Sequence, residues 1–539
     1  MMICRPGRLE AIQKYRRPDR DSGGRPEKIK MKLKTIIAAG LILAVQLGIT
    51  AARAQTSEVD VNALLQRIQE LEQKVKAIEL EKKTATSEPT PNTTASVPSA
   101  DTNSIRELDQ KIRVLERNQE LATEAAEARA KETPRLSVGN GGFALSSADT
   151  NFVLKLRGLV QIDTRTFLDD NSASVGNDGF VVRRARPILE GTVYRDFDFQ
   201  LTPDFAGSSA TLVDAWVNYR YRPELQFRIG KMKGPVGLEN LQADTVGSFN
   251  ERSMVSALVP VRNIGFQLGG DLGGGIASYA LGIYNGAGDG RNPANNDFND
   301  AKEYAGRLFL QPFKKSSLAG LQGLGFGVGG SYADVTANVN GLPNTTGGTL
   351  PGYTTSGLQQ FFAYNPAAGA VMADGVHWRL SPQGYYYYGS FGLLGEYVVS
   401  DQGVLNTTSL ARANLAQTAW QVSAQWVLTG EAASFTGITP QRAFDPRNGN
   451  WGAWQLVARY AQLDIDSDTF GSFANPVTSA NSAQGWSVGL NWWLNRNLRV
   501  LTSYSRTSFD GGGGPGLTAP AAVTQQPEQV FLTRVQLSF

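Results

Sequence analysis

The sequence predicts an all-β fold, a 16-stranded antiparallel transmembrane β-barrel preceded by an N-terminal periplasmic coiled-coil segment. Three observations lead to this prediction. Long segments alternate apolar and polar side chains with a period of two, which is the period of a β-strand. These segments recur about every 20 to 25 residues from Arg135 to the end of the chain. Long and short connections alternate between them, as in outer-membrane barrels with long outer loops and short periplasmic turns.

The first 54 residues are predicted to be a signal peptide region. Basic residues follow Met31, Thr35–Ile49 is apolar, and Ala52-Arg53-Ala54 fits a cleavage site. The apolar run is shorter than the about 20 residues that a membrane-spanning helix needs. We expect Met31 to be the true start, and the single cysteine, Cys4, to be absent from the mature protein, which leaves no disulfide.

Removal of residues 1–54, which hold 12 basic and 4 acidic residues, changes the formal net charge from +3 to −5. The basic balance of the whole chain is therefore no indication of nucleic-acid binding. The apolar content of 41% is modest for a membrane protein, but only every second residue of a barrel strand faces lipid.

Residues 55–134 are predicted to form a coiled-coil and linker stalk. Two runs have apolar residues at heptad spacing, and Thr84–Asp101 between them is rich in Thr, Ser, Pro and Asn. β-branched first positions would favour a dimer in isolation, whereas a barrel of this kind suggests a trimer, which we expect. A solvated single helix or a disordered linker stays an alternative. The heptad positions are Val61, Leu64, Ile68, Leu71, Val75 and Ile78, then Ile105, Leu108, Ile112 and Leu115.

The predicted barrel domain, residues 135–539, is clearest in its first long hairpin. Phe152–Thr166 alternates apolar side chains with charged or polar ones of both signs, and Phe180–Arg195 repeats the pattern after a loop. A strand of a soluble sandwich is usually about half as long. A continuous polar face with both charges fits a water-filled lumen.

Fourteen further strands complete the predicted barrel. The chain ends with Phe531, Val535, Leu537 and Phe539 on one face, a pattern typical of the strand that closes an outer-membrane barrel. Gly234–Arg262 is long and lacks sustained alternation, so we expect a constriction loop there. The fourteen strands are Phe197–Phe205, Thr211–Tyr221, Leu225–Lys233, Asn263–Leu272, Ile276–Tyr284, Ala301–Gln311, Gly323–Val335, Asp374–Tyr386, Ser390–Ser400, Gln417–Leu428, Trp451–Asp464, Ala483–Trp493, Leu498–Ser508 and Glu528–Phe539.

Arginine supplies most of the positive charge of the barrel. Residues 135–539 contain 23 Arg and 6 Lys against 30 acidic residues. The planar guanidinium group suits phosphate and carboxylate because it donates two charge-assisted hydrogen bonds. Arg183, Arg184 and Arg186 place three positive charges within four residues, which repel one another unless anions or acids intervene. The alternative is that the arginines pair with acids across the wall and stiffen the barrel.

Several runs resemble the phosphate-selective porin O and P family. They include Arg183-Arg184-Ala185, Gly191-Thr192-Val193-Tyr194-Arg195-Asp196, Val236-Gly237-Leu238-Glu239, Glu251-Arg252-Ser253, Gly452-Ala453-Trp454 with Arg459-Tyr460, and Val488-Gly489-Leu490-Asn491-Trp492. The resemblance implies a trimer of sixteen-stranded barrels in which the loop after the fifth strand folds inward. It also implies that Arg183, Arg184 and Asp214 surround an anion. The lysines of the family's constriction loop have no counterpart, since their positions fall near Asn240 and Thr245.

The predicted function is passive diffusion of small hydrophilic solutes through the outer membrane of a Gram-negative bacterium, with a preference for anions such as phosphate. The expected partners are outer-membrane lipid, small anions, two further copies of the chain and, through the stalk, peptidoglycan; no cofactor or metal is expected. The alternative is a structural barrel anchored to peptidoglycan by its coiled coil. His377 is the only histidine and has no nucleophile motif nearby, so no catalytic residue is predicted. The candidate anion constriction consists of Arg183, Arg184, Arg186, Asp214, Arg252 and Arg307.

Overall fold

The computed structural model describes residues 100–139, 141–168, 178–293, 295, 300–335, 350–365, 371–512 and 527–539. The predicted signal peptide, the first heptad run and nearly all of the predicted linker lie outside these residues. Helix α1, Ala100–Glu132, covers the second heptad run; its association with other helices stays a prediction. Within the described ranges, no helix is long and apolar enough to cross a bilayer.

Sixteen strands form a closed antiparallel barrel, and every strand predicted from the alternation is present. The barrel consists of β3–β11 and β14–β20, while β12 and β13 form a small separate sheet. The strands are β1 (Arg135–Gly139), β2 (Gly142–Ser146), β3 (Val153–Phe167), β4 (Gly179–Val193), β5 (Phe197–Asp204), β6 (Thr211–Arg222), β7 (Leu225–Met232), β8 (Asn263–Leu272), β9 (Ala277–Tyr284), β10 (Glu303–Leu310), β11 (Leu324–Val335), β12 (Tyr353–Thr354), β13 (Gln360–Phe362), β14 (Val371–Tyr388), β15 (Phe391–Asn406), β16 (Arg412–Val427), β17 (Ala453–Asp464), β18 (Ser482–Trp493), β19 (Leu498–Asp510) and β20 (Glu528–Ser538).

The seam of the barrel joins its last strand to its first. β20 pairs with β3 in a register that runs from Val530 opposite Phe167 to Ser538 opposite Leu159. Beyond it, Gly158 N donates to Phe539 O at 3.0 Å, and Phe539 N donates to Gly158 O at 3.1 Å. The predicted closing strand is therefore confirmed. We call the end of the barrel that holds these residues the turn end, and the opposite end the loop end.

Alternation along the strands separates an apolar outer face from a polar inner face. On β3, Leu154 and Ile162 are exposed on the outside, whereas Gln161 and Asp163 are buried inside. The outer face also carries aromatic pairs, such as the stacked indoles of Trp454 and Trp492. Their position near strand ends in the sequence predicts an outer aromatic girdle for several Trp and Tyr residues, but three of them instead pack inside the barrel, because their strands present them to the inner face. These residues are Trp493, Tyr385 and Tyr387.

A short hairpin that the sequence did not predict precedes the barrel. It consists of β1 and β2, and β2 pairs with the turn-end part of β3 from Val153 to Leu156. The strand β20 covers the rest of the same edge of β3. The edge of β3 is thus shared by two partners.

Part of the interior is filled by a second inward segment, residues 350–365, which contains β12 and β13. Phe361 and Phe362 are fully buried and belong to one apolar cluster with Val255 and Leu258. Thr355 Oγ1 donates to Glu528 Oε2 at 2.6 Å, which attaches the segment to β20. Apolar side chains therefore fill the lumen around residues 350–365, and the interior is not polar throughout.

Candidate functional site

The connection between β7 and β8, residues 233–262, lies inside the barrel, and we call it the inner loop. It contains a helical turn, α2 (Leu238–Leu241), and a 3₁₀ turn (Met254–Leu258). Its backbone carbonyls accept hydrogen bonds from inward side chains of β3, β19 and β20. Gln161 Nε2 donates to Asp244 O at 3.1 Å, and Gln536 Nε2 donates to Thr245 O at 2.9 Å. The loop therefore reaches strands that lie at least four positions around the barrel from β7.

Two acidic side chains, Glu239 and Glu396, attach the inner loop to the wall. Glu239 Oε2 accepts from the backbone N–H of Ser253 at 2.9 Å and from Gln421 Nε2 at 2.9 Å, which ties two parts of the loop to β16. At the start of α2, Glu396 of β15 accepts from the backbone N–H groups of Leu238 at 2.6 Å and of Glu239 at 3.1 Å. Because Glu396 is buried, the loss of its bonds would leave unsatisfied polar atoms. The contacts hold the loop as a fixed part of the wall.

The backbone at the start of the inner loop packs directly against Gly329 of β11. A Cβ at Gly329 would lie 2.3 Å from Val236 O and 3.0 Å from Pro235 O. We expect Gly329→Ala to displace the start of the loop, to destabilise the barrel by about 1–3 kcal/mol and to change single-channel conductance. Thermal unfolding and bilayer recordings measure the two effects. Gly320→Ala is the matched control because its Cβ would meet nothing within 4 Å; equal behaviour of both variants would contradict the prediction.

A β-bulge directs Arg183 and Arg184 into the barrel together. In the β3–β4 register, Gln161 faces Arg184 and Ile162 faces Val182, so Arg183 is the extra residue. Two adjacent residues of a regular strand would point to opposite faces, but a bulge re-aims one of them. Arg186, two residues further on, also faces inward. The bulge therefore converts a charged sequence motif into a cluster of three inward guanidinium groups.

Acids from the wall and the inner loop neutralise this cluster. Arg183 Nε donates to Glu251 Oε1 at 2.6 Å, and Arg186 Nε donates to Asp204 Oδ2 at 2.6 Å. Asp244 lies between the remaining charges. Its carboxylate is 3.7 Å from Arg184 Nε and accepts from Arg186 and Arg252. The prediction that acids or anions must separate these arginines is met by acids of the chain.

The two inner-loop carboxylates in this cluster stay ionised because the arginines surround them. Burial would raise the pKa of Asp244, but Arg252 and Arg184 hold it well below the ordinary aspartate value. Burial would likewise raise the pKa of Glu251, yet the charge and hydrogen bonds of Arg183 lower it to about 2. The cluster is therefore a network of fixed charges of both signs at neutral pH.

Of the remaining candidates, Arg252 belongs to this cluster, whereas Asp214 and Arg307 lie apart from it. Asp214 forms a buried ion pair with Arg262, whose Nε donates to Oδ1 at 2.7 Å. Arg307 lies on β10, where its guanidinium carbon is 4.4 Å from the centroid of the Phe309 ring. Arg252 takes part in the fold of the inner loop, where it donates to Gln242 O at 3.2 Å. The structure thus brings together four of the six predicted residues and separates Asp214 and Arg307 from them.

An open chamber of about 540 Å³ lies between the inner loop and the turn end, along β3–β10. Four acidic side chains line it, namely Glu190, Asp214, Asp244 and Asp271. Six basic side chains line it, namely Arg157, Arg186, Arg228, Lys233, Arg262 and Arg307. Positive charge therefore predominates on its surface.

Two of these arginines have no carboxylate within ion-pair distance among the described residues. Arg228 lies 4.3 Å from the Trp216 ring centroid, and its Nε has no hydrogen-bond partner in the part of the chain that the structure describes. Arg307 donates through Nε to the neutral side chain of Gln383 at 2.8 Å. Aromatic rings support both guanidinium planes without neutralising them. Sequence reasoning missed Lys233, whose position after β7 gave no sign that it reaches the chamber.

A second charged cluster lies at the loop end, around Arg379 of β14. Arg379 Nε donates to Asp289 Oδ1 and Nη1 to Glu303 Oε1, both at 2.6 Å. His377 Nε2 lies 3.0 Å from Ser400 Oγ, which itself donates to Asp289 Oδ2 at 2.6 Å. The serine hydroxyl is thus engaged by the carboxylate and not held ready for a histidine base. Among the described residues, no group of three His, Cys, Asp or Glu side chains could hold a metal ion.

The sequence model of the phosphate-selective porin O and P family matches residues 154–511. The chain belongs to this family. The resemblance predicted from the arginine and glycine motifs is therefore confirmed, and the family and fold favour a channel over an enzyme.

Three solved structures illustrate what this porin is similar to. The outer membrane channel DcaP of Acinetobacter baumannii is 10% identical, with 74% of this chain and 100% of that chain covered and a TM-score of 0.46. The anion-selective porin from Comamonas acidovorans is 11% identical, with 72% of this chain and 100% of that chain covered and a TM-score of 0.43. The outer membrane protein OmpT of Vibrio cholerae, in its trimer form, is 10% identical, with 72% of this chain and 99% of that chain covered and a TM-score of 0.43. A search of curated proteins found no match to this porin.

Proposed function

We propose that this porin is an outer-membrane channel for passive diffusion of small hydrophilic solutes, with a preference for anions. The observation that carries the proposal is the chamber beside the inner loop, where basic side chains outnumber acidic ones. A cleft with low-dielectric walls and one predominant sign of charge raises the local concentration of oppositely charged solutes. Anions should therefore enter this passage more readily than cations.

The chamber arginines without acidic partners are the proposed origin of this preference. A guanidinium group already paired with a carboxylate adds little to the local potential. Arg228 and Arg307 have aromatic and neutral neighbours instead, so their charges remain available to a passing anion. Each can donate two hydrogen bonds to a phosphate or carboxylate group.

The sequence predicted that Arg183, Arg184, Arg186 and Arg252 attract anions, but their cluster is proposed to have a mainly structural role. Asp204, Asp244 and Glu251 offset its charge, so it fixes the inner loop against the wall more than it attracts anions. We therefore propose general anion preference and not high selectivity for phosphate. The four residues still set the width of the passage, because they hold the loop in place.

We further propose that the porin is a homotrimer whose stalk, residues 55–134, lies in the periplasm behind the signal peptide region, residues 1–54. The apolar stripe on α1 supports association between copies. Ile112 and Leu115, on its heptad positions, are 47% and 66% exposed in the single chain. Such a stripe on a long helix is usually buried against other helices.

Replacing both unpartnered arginines tests the anion preference. In a salt gradient, the wild-type porin should give a reversal potential of the sign expected for anions, because the chamber is basic. The double variant Arg228→Gln/Arg307→Gln should reduce the anion-to-cation permeability ratio about twofold or more. The matched control is Arg447→Gln/Arg496→Gln, which removes the same charge from exposed turns outside the chamber. Cation preference of the wild type would refute the proposal.

A structural barrel is the second candidate, and the filled loop end favours it. Residues 350–365 pack an apolar cluster into the interior, as a barrel without transport function would require. Conductance of the purified porin in planar bilayers distinguishes the two functions. Reproducible channel openings support diffusion, whereas correctly folded barrels without conductance support the anchor.

A further inference from the structure

The hairpin β1–β2 extends the outer face of the barrel at the turn end of the seam. Its register places Leu136 opposite Leu145, and Leu145 opposite Leu154 of β3. Directly opposed residues of antiparallel strands share one face of the sheet. The next row on this face consists of Val138, Phe143 and Leu156. The two rows form a continuous apolar surface, which we call the seam patch.

The seam patch is exposed in the single chain. Leu136 and Val138 are 73% and 67% exposed, and the four other members are between 43% and 49% exposed. Phe143 also contacts the ring of Phe539 at 6.2 Å between centroids, so the patch continues onto the end of β20. Contiguous exposed apolar surface of this kind usually marks a contact with protein or membrane.

The free edge of β1 indicates whether lipid or protein covers the seam patch. Within the described residues, β1 pairs only with β2, so its other edge presents unpaired backbone N–H and C=O groups. Open sheet edges do not occur in the hydrocarbon region, since their polar groups would lose water without gaining partners. Water around the hairpin would satisfy the edge but leave the apolar rows uncovered. A protein surface can satisfy both.

We infer that the seam patch and the free edge of β1 bind a second copy of this chain. Only Thr133 and Pro134 separate the hairpin from α1. The exposed heptad stripe of α1 supports association with the same helix of other copies. The last heptad position, Leu115, lies 20 residues before Arg135, and the helix continues to Glu132. Copies whose helices associate in parallel would therefore have their hairpins at the same end of the helical assembly. The inference rests on the proposed trimer and adds the place where the barrels meet. In a trimer the contact would be heterologous, with the hairpin of each copy against a different surface of the next, and repetition around a threefold axis closes such a contact into a ring.

Site-specific photocrosslinking in the full-length porin tests the inference. The photoreactive amino acid p-benzoylphenylalanine replaces Leu136, and outer membranes are irradiated before denaturing electrophoresis. We expect a product of two or three chain masses that contains only this porin. The matched control places the same amino acid at Ser137, on the opposite face of β1, and should yield markedly less product.

The oligomeric state, measured by native mass spectrometry on the same preparation, separates the possible failures. A trimer without a porin–porin product, or with products of lipid or other proteins only, overturns the seam contact and leaves the proposed function intact. A monomer that still conducts overturns both the seam contact and the proposed trimer. In addition, Leu136→Glu/Val138→Glu should lower the temperature at which the trimer dissociates, whereas Ser137→Glu should not. An unchanged dissociation temperature of the double variant would also overturn the inference.

Discussion

Asp244→Asn should increase the anion preference of the channel about threefold or more. Asp244 lines the chamber and is the carboxylate shared by Arg184, Arg186 and Arg252. Without its charge, these guanidinium groups keep their positions on the wall and inner loop but lose their common counterion. The reversal potential in a salt gradient measures the change, and it should move further in the anion direction.

Two controls separate this local effect from a change in net charge or in folding. Asp468→Asn removes one negative charge from an exposed turn far from the chamber and should leave the reversal potential unchanged. Circular dichroism and heat-dependent electrophoretic mobility should show that Asp244→Asn still forms the barrel. A folded Asp244→Asn channel with wild-type selectivity would show that the cluster does not influence the ion path.

Arg379→Met should destabilise the porin by about 3–5 kcal/mol. The change leaves Asp289 and Glu303 buried without their common cation, because the Arg379 guanidinium group bonds to both at 2.6 Å. It also removes the donor to Ala287 O, which holds the β9–β10 connection at the loop end. Thermal unfolding measures the loss, and limited proteolysis should detect earlier cleavage between β9 and β10.

The matched control for this prediction is Arg412→Met. Arg412 pairs with one aspartate, Asp374, whose side chain is 7% exposed, whereas the Arg412 side chain itself is 64% exposed. Its removal leaves a single carboxylate, next to a site that water already reaches, so it should cost less stability than the removal of Arg379, whose side chain is 1% exposed and bonds to two buried carboxylates. A second comparison is the triple variant Arg379→Met/Asp289→Asn/Glu303→Gln. It should recover part of the lost stability, since no uncompensated charge stays buried. Equal destabilisation by Arg379→Met and Arg412→Met would contradict the assignment.

The barrel was predictable because lipid and water impose a period of two on every strand. The seam followed from Phe531–Phe539 for the same reason. The hairpin β1–β2 escaped notice because each of its strands has only five residues, too few for alternation to be distinctive. Residues 350–365 carried no periodic signal, and their packing depends on apolar contacts with the inner loop that no local pattern encodes.

The candidate site was only partly predictable from the sequence. Charge density at Arg183–Arg186 indicated the right region, but alternation alone would place Arg183 on the outer face. The bulge that turns it inward depends on the register with β3. The role of Asp244 was beyond sequence reasoning, since it arises when the inner loop crosses the barrel to strands far away in the chain. The arginines left without acidic partners, Arg228 and Arg307, could be recognised only after these pairings were known.

The pairing of Arg534 with Asp163 has a consequence for how the barrel is built. These two side chains are buried, bonded at 2.6 Å and 2.7 Å, and separated by 371 positions in the chain. Contacts between such distant positions carry the largest loop-closure cost and form late in folding. We therefore expect the strands to assemble first as an open sheet, and the pairing of β20 with β3 to form last. Until then, the charges that later fix the inner loop remain hydrated, and the passage acquires its final shape only when the sheet becomes a cylinder.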